Sequence, residues 1–517
     1  MFCDGDFWHG RNWPARREKL ARGHNKSYWI AKIDSNRSRD RRVNRQLRAM
    51  GFTVLRVWES RILKDPDAAA ARISGVLTRK RKERKKGVMR LSVQAGEHAR
   101  TAISLFTGAG GLDLGFEAAG FETRVAVEID QDAISTLRAN RSWPVLDRDI
   151  HSISSRQLLR AAGLRAGEAD VLIGGPPCQP FSKAGYWASG DTLRLDDERA
   201  GTLGAYLRVL RDTLPKAFLL ENVPGLAYRG KSEGIDLVRR TVDEINQACR
   251  VHYTLAVAQL NAADFGVPQT RERVFVIGCR DGGTFKFPSP THFDPTQGEP
   301  LLGGEPYLTA WDAIGEQEPE ESDELRVRGK WSELLPSIPE GDNYLWHTDR
   351  GGGLPLFGWR RRFWTFLLKL SKQRPAWTIQ AQPGPAIGPF HWKSRRLSGR
   401  ELSRLQTFPE DFQVIGSIAS AQKQIGNAVP SALAEMLARQ IRSQLLGDHI
   451  PLRPSLLPQR RGPIPPPEIV QSVPAHFRHL VGKHEAHPGT GLGHAALRRR
   501  EMDQGEPAAI SALALLF

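Results

Sequence analysis

The chain has 517 residues, a net charge of +17 at pH 7, an isoelectric point near 10.0 and a hydrophobic fraction of 40%. That length suggests two to four domains of ~100–200 residues each, and the apolar fraction excludes wholesale disorder. No stretch reaches the roughly 18 apolar residues a membrane span needs, and the first residues lack the basic-then-apolar layout of a signal peptide, so a soluble cytoplasmic protein is expected.

Residues 1–78 read as a small α/β piece. In "RDRRVNRQLRAM", Val43 and Leu47 lie one helical turn apart, Gly51 suits the helix C-cap, and "FTVLRVWES" alternates as a strand. The basic run "RKRKERKKGVMR" follows, inside a linker over 79–100. It reads as a solvated connector, with contact to a nucleic-acid backbone as the alternative. From residue 101 to about 280 the pattern changes to strand–turn–helix units. "AISLF", "TRVAVEID", "DVLIGG", "AFLLENV" and "RVFVIG" are short apolar runs, which predict a largely parallel sheet covered on both faces. Residues 281–375 lose that rhythm and are rich in Gly, Pro, Trp and Arg. A return segment with a closing helix, "SALAEMLARQIRSQLL", occupies 376–447, and the proline-rich stretch 448–517 reads as a disordered tail.

The charge favours a polyanion partner, since lysine and arginine that neutralise phosphates release condensed counterions; the alternative is a merely basic protein. The four cysteines, Cys3, Cys178, Cys249 and Cys279, form no CxxC pair, which argues against a zinc or disulfide framework. His484, His487 and His494, set among Gly and Pro, read as solvated tail residues, and no metal is expected.

The chemistry gathers at the ends of the apolar runs. "ISLFTGAGGLDLGF" is a strand, a glycine turn and a helix; Gly108, Gly110 and Gly111 let the backbone approach a ligand near unpaired helix N–H groups. Glu128 closes the next strand, where a carboxylate can accept hydrogen bonds from ribose hydroxyls. These features fit a nucleoside cofactor without naming one, and a turn that only tightens packing is the alternative. In "GGPPCQPFS", Pro176 and Pro177 stiffen the loop that carries Cys178. A thiolate there is a candidate nucleophile, against the alternative of a buried structural cysteine. Glu221 ends the strand "AFLLEN", and Arg271 and Arg273 precede another. A thiolate, a carboxylic acid and two arginines at one sheet edge suit addition to an electron-poor ring.

The motifs "FTGAGGLDLGF", "GGPPCQPFS", "ENVPG", "QTRERVFVIG", "RRLSGRELSRLQTFPEDF" and "QIGNAVP" together resemble the DNA cytosine-5 methyltransferases over residues 101–445. The resemblance implies a Rossmann-like α/β domain with a smaller irregular target recognition domain at 281–375, S-adenosylmethionine as methyl donor, and a flipped-out cytosine as target. It implies Cys178 as the nucleophile at C6, Glu221 as the acid at N3, and Arg273 as the arginine that holds the cytosine, with Arg271 beside it on the DNA or scaffold side. For the cofactor it implies Phe106, the three glycines, Glu128 at the ribose, Asp149 at the adenine amine, Pro176 in the cysteine loop, and Asn427 in the segment that returns beside the glycine loop. It further implies a bacterial enzyme acting as a monomer on double-stranded DNA, associated with the nucleoid. The tRNA-methylating branch of the family carries a CFT signature that does not occur in this sequence. A DNA-binding regulator on a dead enzyme is the other alternative, and the intact Cys178, Glu221 and glycine loop oppose it.

The opening "FCDGDFWHGRNW", with "NRSRDRRVNRQL", resembles the very-short-patch repair endonucleases, which nick beside T·G mismatches. Asp4 and His9 match relatives of catalytic residues, while Asp6 stands where some members place a zinc-binding cysteine. The strand carrying that family's magnesium-binding aspartate would lie before Met1. A nuclease-like but nuclease-inactive piece is therefore expected, through decay of a fusion or a start upstream of Met1. With an upstream start the protein would combine methyltransferase and mismatch endonuclease.

Overall fold

A computed structural model describes residues 2–49, 54–70, 99–177, 201–227, 233–298, 303–315, 323–359 and 364–483. The chain divides into two compact units, Met1–His98 and Ala99–Phe517.

In the first unit, strand β1 (Phe2–Asp4) pairs in parallel with β2 (Arg56–Trp58). Helices α1 (Trp13–Ala21), α2 (Lys26–Ala49) and α3 (Glu59–Lys64) belong to the same unit. Ile33, Trp13 and Val57 are buried, and Phe7, Trp8 and Trp29 form an aromatic cluster with ring centroids 5.4–5.8 Å apart.

The second unit is built on one seven-stranded sheet: β3 (Arg100–Leu105), β4 (Phe121–Val127), β5 (Val145–Leu146), β6 (Val171–Gly174), β7 (Ala217–Asn222), β8 (Thr254–Asn261) and β9 (Glu272–Cys279). Their order in the sheet is β5-β4-β3-β6-β7-β9-β8. Every residue of β6 and β7 is buried, which is why these strands read as unbroken apolar runs. Leu172, Phe218 and Leu220 enter one core with Leu158, Leu207 and Val238. Their neighbours Val171, Ile173 and Leu219 enter another with Phe116, Leu433 and Leu437. Period-two alternation thus feeds two helical layers, α6 (Ser155–Ala162), α7 (Gly201–Thr213) and α8 (Glu233–Cys249) on one side, α4 (Gly111–Ala118) and α12 (Ser431–Leu445) on the other.

The expected parallel sheet has one exception: β9 runs antiparallel to both β7 and β8. The ten residues between β8 and β9 are too few for a parallel crossover, so the chain reverses directly. β5 and β8 were not among the expected strands. β5 is only two residues long, and β8 alternates partly exposed residues rather than running apolar.

Helix α5 (Gln131–Asn140) follows β4, and beyond β9 the chain is mostly irregular, with short helices α9 (Ala310–Ile314), α10 (Gly399–Leu405) and α11 (Ile418–Asn427). One lobe has its own core of Leu334, Leu335, Ile338, Tyr344, Leu356 and Leu367. That core also includes Phe390, Val473 and Phe477. The disordered tail expected from residue 448 is therefore corrected through residue 483, because its few apolar side chains find a partner surface. Residues 484–517, with the three tail histidines, lie outside the described residues, as does the basic run of 79–90. No helix among the described residues is long and apolar enough to cross a membrane.

Candidate active site

The strand order reverses between β3 and β6, and open α/β sheets bind ligands outside the carboxyl ends of the strands at such a point. β3 runs into Phe106, whose backbone is left-handed at φ 55°. Thr107 N–H donates to the Val127 carbonyl (3.1 Å) and Gly110 N–H to the Thr107 carbonyl (2.9 Å), which closes the turn ahead of α4. Glu128, directly after β4, accepts from Gly108 N–H at 2.6 Å and from Ile129 and Asp130 N–H at 2.8 Å each. This carboxylate holds the glycine loop and the start of the next segment together. Asp149 caps a short 3-10 turn by accepting from His151 N–H at 2.9 Å.

Phe106, Glu128, Ile129, Asp149, Ile150 and Pro177 line a cavity of about 520 Å³. Gly108 sits at φ 56°, and a Cβ there would meet nothing within 4 Å, so the loop's backbone faces open space. Gly110 and Gly111 pack away from it, toward Leu137 and toward Ala428 and Val429. The segment after α11 thus returns beside the glycine loop, and Asn427, at the end of that helix, is exposed. Asn427 is not among the residues that line the cavity.

The second part of the site lies at the same edge, on β7 and the antiparallel β9. Glu221 pairs in register with Phe275, so the start of β9 reaches the carboxyl end of β7. Glu221 is 8% exposed, and its Oε1 accepts from Arg273 Nε at 2.9 Å. Burial pushes the Glu221 carboxyl above its ordinary range, against the opposing charge of Arg273. A Cβ on Gly175 would lie 2.9 Å from Glu221 Oε2, so only glycine lets the carboxylate approach the backbone that leads to Pro176 and Pro177. Pro176 is buried, and its carbonyl accepts from Asn222 Nδ2 at 3.2 Å. Pro177 is held by Thr202, whose hydroxyl donates to its carbonyl at 3.0 Å. Cys178 lies outside the described residues.

Of the two places expected for Arg271 beside Arg273, the DNA side and the scaffold side, its contacts fit the second rather than a part in the chemistry. Its guanidinium is fully buried and donates to the carbonyls of Ile379 (3.2 Å) and Gly426 (2.8 Å). These bonds tie the start of β9 to the return segment and to α11, which puts Arg271 on the scaffold side. Sequence reasoning did not single out Asn222, Gln269 or Asp113. Asn222 braces the proline loop, and Gln269 accepts from Ile379 N–H (3.1 Å) and donates to Leu405 O (3.3 Å). Asp113 is fully buried in the first turn of α4, and burial pushes its carboxyl up to about 7. All three stand inside motifs already noted, but nothing in their spacing separates bracing from chemistry.

A mostly parallel α/β sheet with a glycine loop, two acids at its switch point and a buried acid–arginine pair defines a Rossmann-like methyltransferase. Residues 100–443 match the C-5 cytosine-specific DNA methylase family, and the chain belongs to it. It is 40% identical over 391 residues to the Type II methyltransferase M.SacI of Streptomyces achromogenes, covering 71% of this chain and 98% of that protein. It is 46% identical over 219 residues to M.AquIA of Picosynechococcus, covering 41% and 86%. It is 36% identical over 345 residues to M1.HphI of Haemophilus parahaemolyticus, covering 66% and 86%. The protein is a DNA (cytosine-5) methyltransferase.

Proposed function

We propose that the enzyme acts through a covalent adduct between Cys178 and C6 of a cytosine rotated out of duplex DNA. The Cys178 thiolate adds to C6 while the Glu221 carboxyl donates its proton toward N3, and the electron density gained at C5 makes that carbon the nucleophile. Arg273 holds Glu221 in place and presents its remaining N–H groups to the base. Once C5 carries the methyl group, its proton leaves to solvent water, the C6–S bond breaks as the Cys178 thiolate departs, and the N3 proton returns to the Glu221 carboxylate, which restores the ring. The observation that carries this reading is the buried Glu221–Arg273 pair against Gly175, two residues before the prolines' end and three before Cys178.

The cleft fits S-adenosylmethionine: the open face of Gly108, the Phe106 ring and two acids suit a nucleoside with an amino-acid arm. Phe106 and Gly108 would hold it at the loop, Glu128 at the ribose hydroxyls and Asp149 at the adenine amine, while Gly110 and Gly111 brace that loop from behind against Leu137 and the Ala428–Val429 segment that follows Asn427, and Pro176 fixes the proline loop beside it. When bound, it supplies an electrophilic methyl group on a sulfonium. The irregular lobe would read duplex DNA, with one chain acting as a monomer. Cys178→Ala should abolish transfer of labelled methyl groups from S-adenosylmethionine to cytosine-containing duplex, and undiminished transfer by that variant would sink the mechanism.

The N-terminal unit reads as nuclease-like in fold and inactive in cleavage. Arg56 bridges Asp4 (2.7 Å) and Asp40 (3.2 Å), and His9 Nδ1 lies 2.6 Å from Asp40, so both carboxylates are already neutralised within the unit. Robust nicking of a T·G mismatched duplex with magnesium would overturn this reading.

A further inference from the structure

The family match ends at residue 443, yet the chain continues across the irregular lobe as an ordered strap. Phe477 is buried and stacks on Trp331, with ring centroids 5.6 Å apart and planes 15° from parallel. Trp331 in turn meets Phe357 and Phe366 edge-on. Glu468 Oε1 lies 2.8 Å from the buried Lys372 ammonium, which also binds Glu340 at 2.8 Å and the Pro466 carbonyl at 3.0 Å. Glu468 N–H donates to Glu340 Oε1 (2.8 Å), Gln471 N–H to Pro336 O (3.1 Å) and Gly482 N–H to Pro355 O (3.3 Å).

Lys372 leads directly back to the catalytic edge. Four residues later Ala376 exchanges backbone hydrogen bonds with Pro268 and Thr270, and Ile379 receives Arg271. The strap is thereby connected through one short segment to the strand that carries Arg273.

We propose that residues 463–482 are an integral part of the DNA-reading lobe, and that Phe477 and Glu468 are positioning residues for target recognition, acting through Trp331 and Lys372. The proposal rests on the reading that this lobe contacts DNA. Without Phe477, Trp331 loses its stacked partner; without the Glu468 charge, Lys372 keeps Glu340 and the Pro466 carbonyl but loses the ionic part of its tether to the strap. Either change loosens the lobe while leaving the sheet and its cleft intact.

The test uses the full chain with Phe477→Ala, Phe477→Leu and Glu468→Gln. Steady-state methylation is measured on duplexes carrying the preferred site and single-base changes of it, the preferred site being mapped from DNA methylated by the wild-type chain. Phe477→Ala should raise KM for DNA by about tenfold, the loss of roughly one aromatic contact, and narrow the preference over altered sites. Its kcat at saturating DNA and its affinity for S-adenosylhomocysteine should stay near wild type. Phe477→Leu should recover much of the loss, and Glu468→Gln should shift KM in the same direction. If Phe477→Ala does not fold, the Glu468→Gln result decides alone. Unchanged KM and site preference in a folded variant would overturn the proposal, whereas failure of the wild-type chain to methylate duplex DNA would overturn the reading beneath it.

Discussion

Glu221 and Asp113 are both buried acids whose protons are held more tightly than in water, but they serve different purposes. Glu221 has an arginine within hydrogen-bond distance and stands at the sheet edge; Asp113 has no cation beside it and meets only neutral donors, among them the hydroxyls of Ser104 and of Thr123 at 3.5 Å. For Glu221, burial favours the protonated form, so methyl transfer should fall as pH rises through its elevated value. Glu221→Gln should lower kcat and flatten that alkaline limb; single-turnover transfer measured against pH checks both. For Asp113, the folded value of about 7 exceeds the ordinary 3.8, so the folded state binds a proton that the unfolded state has released. Its contribution is fully present below 3.8 and is lost as pH rises toward about 7. Asp113→Asn should therefore melt at a higher temperature than wild type above pH 7, with the difference shrinking in acid.

At the scale of elements, the contact between α4 and α12 joins the glycine loop to a helix more than three hundred residues away. A Cβ on Gly115 would collide with Ala434 and with the backbone of Ser431 and Glu435. Backbone cannot yield as a flexible side chain can, so Gly115→Ala should push α12 outward at a cost of about 1–3 kcal/mol. A fall in Tm together with weaker S-adenosylhomocysteine binding in calorimetry is expected, because α12 follows the Ala428–Val429 segment packed on Gly111. An unchanged Tm would show that the two helices are not coupled in this way.

At the scale of the molecule, the two compact units predict separable behaviour. A chain lacking residues 1–98 should retain kcat for methyl transfer, since the cleft and the acid–arginine pair belong wholly to the second unit. Loss of transfer by that shortened, folded chain would show that the first unit contributes to the reaction. The net charge of +17 places a large electrostatic share in DNA binding, and affinity should fall linearly in log K against log salt.

Much of this architecture was legible before any tertiary information. Five sheet strands announce themselves as short apolar runs because strands covered on both faces need no polar alternation. The closing helix shows an amphipathic period, and the glycine turn, Glu128 and Glu221 fall at strand ends where a sheet gathers its chemistry. Two matters were decided only by folding. Arg271 and Arg273 are the same residue type two positions apart. Their roles separate because the chain returns 108 and 155 residues later to place the Ile379 and Gly426 carbonyls around Arg271, leaving Glu221 to Arg273. The proline-rich stretch after 447 has too few apolar residues to fold by itself. Its part up to residue 483 packs because Val473 and Phe477 complete a core whose other side chains come from residues 327–390, a complementarity that local composition does not encode.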